Sequence, residues 1–245
     1  MNQLSDTAAF SPLYKEVKRR LTGSIAAGEW RPGEALPSET RLAQGFNVSI
    51  GTLRKAIDEL VAERIVVRHQ GRGTFVATHS ANRLLFHFFH IVPRGGDKQY
   101  PDTATLAFRR GRAEPAEAAK LQLAPGDPVL RVRNLLSLGG RPVILDDLVL
   151  PQRLFQDLSE KILTARDNTI YHLYQTPYGI NVLRTSERLS AMLADAQTAK
   201  LLGLKKGAPL LEIKRIAYTY HSAPVELRRS LVDTTGHEYF SDIGK

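Results

Sequence analysis

The stretch from Asn47 to Thr78 constrains the fold of this chain more than any other part of it. It reads NVSIGTLRKAIDELVAERIVVRHQGRGTFVAT, a helical segment followed by two β-prone runs that flank Gly71-Arg72-Gly73. A buried core needs neither the small residues with which the helix begins nor an arginine between two glycines. Glycines and short side chains allow a partner to approach closely, and the cations favour a partner that is negatively charged.

Two helices are predicted before this segment, so the order is helix, helix, helix, hairpin. Ser11-Pro12 begins the first helix, and Pro37-Ser38-Glu39 begins the second with Ser38 as its cap. Ser49 is the predicted cap of the third helix. The apolar face of the third helix is predicted to consist of Ile50, Leu53, Ile57 and Leu60. This order predicts a winged helix-turn-helix, mainly α with a β wing, over residues 11–78.

This fold predicts which side chains face DNA. A helix-turn-helix places the amino end of its second helix in the major groove, and Ser49, Gly51 and Thr52 are small enough to allow that approach. Arg54, one turn further on, can reach phosphates or a guanine edge. Arg72, at the tip of the wing, can enter a minor groove.

After a short polar linker at residues 79–83, the sequence changes to strands separated by a few short helices. The predicted strands are RLLFHFFHIV, PVLRVRNLLSL, PVILDDLVL, INVLRTSERL, PLLEIKRIAYTY and PVELRRSLV. Short turns between them predict an α+β domain with an antiparallel sheet over residues 84–245. The region also repeats itself at an offset of about 82 residues, which places Pro142-Val143 on Pro224-Val225. Two such halves are expected to face each other across a cleft.

Side chains alternate between the two faces of a strand, so parity predicts which polar residues lie together. In PVELRRSLV, Glu226 and Arg228 share one face, opposite the apolar residues. A carboxylate on an apolar strand is costly when it is buried without a partner. Asp146 or Asp147 is therefore expected to meet an arginine or a ligand.

The composition excludes several classes of protein. The chain has no cysteine, so disulfides and thiolate metal sites are excluded. No apolar run is long enough for a membrane span, and residues 1–10 lack the pattern of a signal peptide. We expect these ten residues to form a disordered tail and the protein to be cytoplasmic, with no membrane partner. The net charge of +9 is spread over the chain and does not by itself indicate a partner.

The sequence offers little support for catalysis. It has no nucleophile elbow, Walker loop or dinucleotide-binding glycine pattern. Adjacent Asp146 and Asp147 point to opposite faces of a strand, so they cannot act together as acid and base. His87 and His90 lie in FHFFH, which reads as a strand and sends them to opposite sides. No catalytic residue, cofactor or metal site is predicted.

Five motifs, in sequence order, resemble the winged helix-turn-helix of GntR-family transcriptional regulators. They are Pro37-Ser38-Glu39, Leu42-Ala43, Val48-Ser49, Thr52-Leu53-Arg54 and Gly71-Arg72-Gly73-Thr74-Phe75-Val76. The resemblance implies a set of DNA-contact residues. These are Arg41, Ser49, Gly51, Thr52, Arg54, Arg72 and Gly73, together with Thr40.

Two residues depart from the family pattern. Thr40 and Ile50 stand where the family commonly has arginine, and one bidentate contact from arginine to guanine is worth about 1–3 kcal/mol of base discrimination. The operator is therefore expected to differ from the family's usual one. Ile50 either extends the apolar core face, which is our expectation, or touches a thymine methyl group.

The second region resembles the UTRA effector domain of the HutC-type subfamily of GntR regulators. The resemblance implies a chorismate-lyase-like α+β fold that binds a small molecule and mediates homodimerisation. With Arg228 added from strand parity, the candidate ligand-binding residues are Arg131, Arg133, Asp146, Glu226, Arg228 and Tyr239. Arg131 and Arg133 are predicted to favour an anionic ligand through charge-assisted hydrogen bonds. Asn134 and Leu136 stand where many members have further arginines, which weakens the case for a phosphorylated sugar.

The expected function is that of a ligand-responsive transcriptional regulator. We expect a homodimeric repressor that binds double-stranded DNA at an inverted-repeat operator and is released by a small anionic metabolite. Two alternatives belong to other classes. One is a lyase-like enzyme with a DNA-binding appendage, and the other is a sequence-independent architectural DNA-binding protein.

Overall fold

The computed structural model describes residues 12–78, 88–166 and 169–241. It divides the chain into two compact units, Met1–Thr78 and His79–Lys245. The predicted tail at residues 1–10, the predicted linker at residues 79–83, and His87 lie outside the described residues. No helix in the described ranges is both long enough and apolar enough to cross a membrane.

The N-terminal unit contains three helices and a two-stranded hairpin. The elements are α1 (Leu13–Ala26), α2 (Glu39–Phe46), α3 (Ile50–Ala62), β1 (Val66–His69) and β2 (Gly73–Val76). Its core forms where α1 packs on α3, because Leu21 of α1 and Leu53 and Leu60 of α3 are completely buried. The segment before α2 joins the hairpin edge through hydrogen bonds such as that from Leu36 N to Thr74 O at 2.8 Å.

The C-terminal unit is built on one six-stranded antiparallel sheet. Its elements begin with β3 (Ile91–Pro93), β4 (Asp102–Arg112), α4 (Pro115–Leu121), β5 (Pro128–Leu138), β6 (Arg141–Pro151), α5 (Glu160–Thr164) and α6 (Ile170–Gln175). They continue with β7 (Arg184–Leu193), α7 (Ala196–Leu202), β8 (Pro209–Tyr218), β9 (Pro224–Asp233) and β10 (His237–Tyr239). The strand order in the sheet is β4-β5-β6-β9-β8-β7, and β3 pairs with β10 in a separate two-stranded sheet.

The internal repeat corresponds to two βαββ halves, β4-α4-β5-β6 and β7-α7-β8-β9. The offset of about 82 residues maps Asp147 onto Arg229, and these two residues are also register partners in the β6–β9 pair. An approximate two-fold axis therefore passes between them. The expectation of a cleft between the halves was wrong. The halves join edge to edge because β6 and β9 hydrogen-bond directly.

The helices of the repeat pack across the seam, the junction at which β6 and β9 pair. Helix α4 of the first half packs on β9 of the second, and α7 of the second half packs on β6 of the first. Leu121 of α4 shares a buried cluster with Val149 of β6, against which Leu227 of β9 packs. Because apolar burial crosses the seam from both sides, the two halves share their cores rather than each having its own.

Strand β4 lies outside the six strands predicted from the sequence. It is an outer strand of the sheet, and most of its residues are exposed on both faces. Such a strand needs no alternation of apolar and polar residues, so DTATLAFRRGR carries no period-two signal.

The contrast between Leu53 and Ile50 within α3 gives a test of the core. Leu53 is completely buried, whereas Ile50 is 41% exposed. We expect Leu53→Ala to lower the free energy of unfolding of the N-terminal unit by about 2–5 kcal/mol, and Ile50→Ala to change it by less than about 0.5 kcal/mol. Urea unfolding followed by tryptophan fluorescence measures this, since Trp30 is the only tryptophan in the chain. Equal losses from the two variants would contradict the assignment.

Candidate functional site

The turn between α2 and α3 exposes the amino end of α3. Asn47 ends α2 in the left-handed conformation, with φ of 52°. Ser49 then caps α3, because its Oγ accepts a hydrogen bond from Thr52 N at 3.1 Å. Ser38 caps α2 in the same way through Arg41 N at 3.3 Å. The predicted caps Ser38 and Ser49 are thus in place, and both residues are exposed. Helix α1 begins at Leu13 with Pro12 as its cap residue, and Ser11 lies outside the described residues.

The predicted DNA-contact residues are all on the surface of the N-terminal unit. Thr52 is half-buried, and the other seven are exposed. Those seven are Thr40, Arg41, Ser49, Gly51, Arg54, Arg72 and Gly73. The surface around the amino end of α3 therefore combines hydroxyl groups, a bare backbone and cations, which are the groups that contact phosphates and base edges.

The expectation that Ile50 extends the core of α3 was wrong. Ile50 is the first residue of the helix, and its side chain is 41% exposed. Ala56, which was not among the predicted core residues, is completely buried on this face of α3 together with Leu53 and Leu60. A first-turn residue projects back toward the exposed amino end of its helix, so the apolar period does not hold there.

An ion-pair network on this surface was missed from the sequence. Arg54 Nε donates to Glu39 Oε2 at 2.6 Å, so α3 is tied to the start of α2. Arg68 of β1 lies 3.3 Å from the same carboxylate and 2.5 Å from Asp58. Arg54 is thus held by a carboxylate in the DNA-free protein. The partners are 15 and 29 residues apart in sequence, and no local spacing rule connects them.

The hairpin has the geometry of a wing. Gly71 and Gly73 adopt φ of +70° and +108°, conformations that L side chains rarely adopt. Arg72 lies between them at the tip, and its guanidinium is 5.8 Å from the centre of the Phe75 ring. Replacing either glycine would strain the tip.

In the C-terminal unit, a buried carboxylate organises one face of the sheet. Glu226 on β9 is completely buried and accepts two hydrogen bonds from Arg228, each at 2.9 Å. Its two oxygens also accept hydrogen bonds from the hydroxyls of Tyr171 at 3.1 Å and Tyr174 at 2.7 Å, both on α6. Arg228 Nη1 reaches Asp146 on β6 at 3.2 Å. The prediction that Asp146 meets an arginine agrees with this geometry.

The surroundings of these groups shift their pKa values. Burial alone raises the pKa of Glu226, but the Arg228 guanidinium and the Tyr174 hydroxyl hold that pKa below its ordinary value. Burial and the Glu226 charge raise the pKa of Tyr171 to about 12. Burial raises the pKa of Asp146, against the opposing effect of Arg228. At neutral pH the tyrosine hydroxyls are therefore protonated donors.

A second buried ion pair lies beside the first. Arg215 on β8 donates from Nε to Glu187 on β7 and from Nη2 to the carbonyl of Phe88, each at 2.5 Å. Tyr239, a predicted ligand residue, donates its hydroxyl to the same Glu187 at 2.5 Å. Tyr239 thus orients Glu187 and is not among the residues that line the cavity described next.

A cavity of about 470 Å³ opens between this face of the sheet and α6. We call it the α6 cavity. Its polar wall consists of Asp102, Thr103, Asn134, Asp146, Thr164, Arg166, Thr169, Arg215 and Arg228. Its largely apolar wall consists of Phe88, Phe89, Tyr100, Pro101, Leu136, Ile170 and Tyr171. A concave site of this size, in which polar groups converge beside apolar side chains, is typical of a small-molecule site. Asn134, Arg166 and Arg215 were absent from the predicted ligand set.

The predicted ligand residues do not line a single pocket. Arg131 and Arg133 lie on the opposite face of the sheet, because β5 pairs Arg133 with Asp147 and Asn134 with Asp146. Arg133 is held by Asp147 through hydrogen bonds of 2.6 and 3.0 Å, and Arg131 is held by the carboxylate of a helix. The prediction placed all six residues around one ligand. Strand parity corrects it, because Arg131 and Arg133 lie on the opposite face of the sheet from Asp146.

The groove beside Arg131 and Arg133, which we call the α4 groove, measures about 490 Å³. Glu117 of α4 accepts two hydrogen bonds from Arg131, at 2.7 and 2.8 Å. Burial raises the pKa of Glu117, but Arg131 holds it below its ordinary value. The two arginines of this groove are thus engaged by carboxylates. In the described ranges, no cluster of three or more potential metal ligands occurs.

Comparison with known proteins assigns both units. The model of the gntR family of bacterial regulatory proteins matches residues 13–76, and that of the UTRA domain matches residues 97–237. The Escherichia coli (strain K12) mannosyl-D-glycerate transport/metabolism system repressor MngR is 27% identical over 230 residues, which cover 93% of this chain and 94% of that protein. The histidine utilization repressor of Pseudomonas aeruginosa is 30% identical over 222 residues, covering 87% and 84%.

Solved structures give the same assignment. A structure described as the ligand-binding domain of a GntR-family transcriptional regulator from Bordetella bronchiseptica has a TM-score of 0.63 at 34% identity, covering 65% of this chain and 99% of that one. PhnF from Mycobacterium smegmatis has a TM-score of 0.54 at 24% identity, covering 92% and 98%, which is a likeness of fold.

The two units therefore define a transcriptional regulator with a DNA-reading part and an effector domain, and not an enzyme. The chain belongs to the GntR family, in the HutC-type subfamily that carries a UTRA domain. The lyase alternative is not favoured, because the family and the named relatives are regulators.

The buried Glu226 makes a testable contribution to stability. Because its pKa is lowered in the folded state, this contribution is complete above the ordinary glutamate pKa of about 4.3 and is lost as the pH falls below it. At pH 7 we expect Glu226→Gln to lower the free energy of unfolding by about 3–5 kcal/mol, since Arg228 loses its main buried partner. Urea unfolding followed by circular dichroism measures the change. Glu238→Gln, at an exposed position, is the control, and equal stability of both variants would refute the argument.

Proposed function

We propose that this regulator is a cytoplasmic repressor that binds an inverted-repeat operator as a homodimer and is released by a small anionic metabolite. The observation that carries the DNA-binding part is the capped, exposed amino end of α3, where Ser49 and Gly51 lie at the surface. A two-fold symmetric dimer sets two such helices on half-sites about one helical turn, or a multiple of it, apart.

The DNA contacts are proposed residue by residue. Thr52 and Arg54 read the major groove, with Arg54 leaving Glu39 for a phosphate or a guanine edge. Arg72 enters the minor groove from the wing. The exposed Ile50 side chain contacts a thymine methyl group, because an apolar side chain has no hydrogen bond to offer a base edge.

The α6 cavity is the proposed effector site. Asp146 and Arg228 line its wall, and the buried Glu226 behind them holds Arg228 at a fixed position. An effector that binds one conformation of the regulator better than another shifts the population toward it, and DNA affinity changes reciprocally.

The homodimer is proposed to form along β7. This outer strand is ten residues long and leaves one edge without a pairing strand among the described residues. Leu189, Ala191 and Leu193 are exposed on one side of it, with Leu193 66% exposed. A long apolar edge strand associates with another chain unless something covers it, and a second copy of the same strand satisfies this requirement.

Operator binding is the main test of the proposal. We expect Arg54→Ala to weaken binding by about 10- to 100-fold, which corresponds to the loss of one bidentate contact. Gel shifts at one fixed salt concentration, on a duplex selected from random sequences, measure this loss. Arg19→Ala is the control, because Arg19 is an exposed cation of α1 outside the helix-turn-helix.

Two results would contradict the proposed sequence-specific binding of the operator. One is an Arg54→Ala variant that binds as well as the native chain. The other is a footprint of unlimited extent, insensitive to sequence, which would instead support the architectural DNA-binding alternative.

The dimer surface is tested by sedimentation velocity at micromolar concentrations. We expect Leu193→Asp to shift the protein from dimer to monomer, because a carboxylate would be buried against the apolar edge. Leu106→Asp, on the opposite outer strand β4 where Leu106 is 40% exposed, is expected to leave the dimer intact. A monomeric native protein, or dissociation caused only by Leu106→Asp, would overturn the assignment.

A further inference from the structure

One buried acceptor in the α6 cavity has no donor. Asp146 is 2% exposed, and its Oδ2 accepts a hydrogen bond from Arg228 Nη1 at 3.2 Å. Its Oδ1 has no hydrogen-bond partner among the described residues. A buried acceptor without a donor destabilises the folded protein, and a bound group that supplies the donor removes that cost.

One half-buried cation in the same wall, Arg166, has no carboxylate partner among the described residues. Arg166 lines the cavity just after α5, and burial lowers its pKa. Its Nη1 donates to two neutral oxygens, the carbonyl of Leu163 and Thr105 Oγ1. Across the described part of the chain, Arg166 forms no ion pair, whereas Arg215 is paired with Glu187. The guanidinium of Arg166 is therefore the group in this wall to which an anion can bind without breaking an existing ion pair.

The number of unpaired guanidinium groups limits the ligand to one negatively charged group. Arg215 pairs with Glu187, and Arg228 pairs with both Glu226 and Asp146. Asp102 adds a further carboxylate to the wall, so Arg166 is the arginine among the described lining residues that remains for an anion. A phosphate dianion would require a second unpaired cation. At the neighbouring positions of β5 the wall has neutral Asn134 and Leu136. A carboxylate needs only one guanidinium, which it binds in a bidentate manner.

From this juxtaposition we infer that the α6 cavity takes a small carboxylic acid that also carries a hydroxyl or amino group. The carboxylate lies on Arg166, the hydroxyl or ammonium group donates to Asp146 Oδ1, and Phe88, Phe89 and Ile170 cover the carbon skeleton. The inference rests on the proposed effector role of the cavity. It narrows the ligand class, because it excludes phosphate esters and acids without a donor.

The test uses the full chain and a matched set of probes in isothermal calorimetry. Gluconate, phenyllactate and phenylalanine carry both groups, 3-phenylpropionate lacks the donor, and glucose 6-phosphate carries a phosphate in place of the carboxylate. We expect at least one of the first three to bind at least tenfold more tightly than both of the others. The inference is overturned if none of the first three probes binds, or if 3-phenylpropionate or glucose 6-phosphate binds as tightly as the best of them.

Substitutions then assign the two contacts. Asp146→Asn presents an amide N–H where the ligand donor would lie, so the best acid should lose at least tenfold in affinity. The ligand-free melting temperature should not fall in proportion, because an uncharged group is easier to bury. Arg166→Gln should cause a similar loss, and Arg166→Lys should restore part of it. Arg110→Gln is the control, since Arg110 is exposed on β4 and lines neither cavity nor groove. Equal affinities for all variants would overturn the inference.

Operator binding measured in the presence of each ligand distinguishes a failure of the inferred ligand class from a failure of the proposed release mechanism. If glucose 6-phosphate binds and releases the operator while the acids do not, the effector function stands and the inferred ligand class is wrong. If the acids bind with the expected dependence on Asp146 but leave operator affinity unchanged, the ligand class stands and the proposed release mechanism fails.

Discussion

The buried ion pair between Glu226 and Arg228 is the interaction on which the effector unit depends. The two residues share one face of β9, and both lie next to the seam where the halves of the sheet join. Burying two charges costs more than their attraction returns unless further hydrogen bonds satisfy them, and Tyr171, Tyr174 and Asp146 do so. A well-packed apolar pair would stabilise the fold at least as well. The ion pair is therefore better explained by the polar wall that it builds than by stability.

The two faces of the same sheet differ in their chemistry because of what covers them. On the α6 side, tyrosines and phenylalanines exclude water, so Arg215 and Arg228 are held by carboxylates and their positions are fixed. On the α4 side, Arg133 and Asp147 are each about one-third exposed, and such a pair exchanges readily with water and salt. A small ligand gains most from the preorganised face, which is why the α6 cavity carries the effector proposal.

The parts of the fold that the sequence predicted are those with local causes. Ser38, Ser49 and the glycines around Arg72 predicted helix starts and a hairpin because caps and positive φ angles are set within a few residues. Strand β4 was missed because an outer strand has no apolar face to bury. The hydroxyls of Tyr171 and Tyr174 meet Glu226 across more than fifty residues, and no spacing rule predicts that contact. The grouping of Arg131 with Asp146 came from resemblance, and the register of β5 with β6 overrules it.

The carboxylates on the DNA-facing surface bear on specificity. Glu39 and Asp58 hold Arg54 and Arg68 in the DNA-free state, and exposed ion pairs of this kind contribute little to stability. Their effect is on DNA: a phosphate that approaches this surface meets negative charge as well as positive. A docked base edge that takes Arg54 in a bidentate contact compensates for the lost pair, whereas a passing phosphate does not. Under the proposed mode of DNA binding, the network would penalise non-specific contacts more than specific ones, so that a repulsive element adds to discrimination. The exposed Ile50 adds no charge to this surface, so the same proposal makes binding depend more on base edges than a further arginine there would.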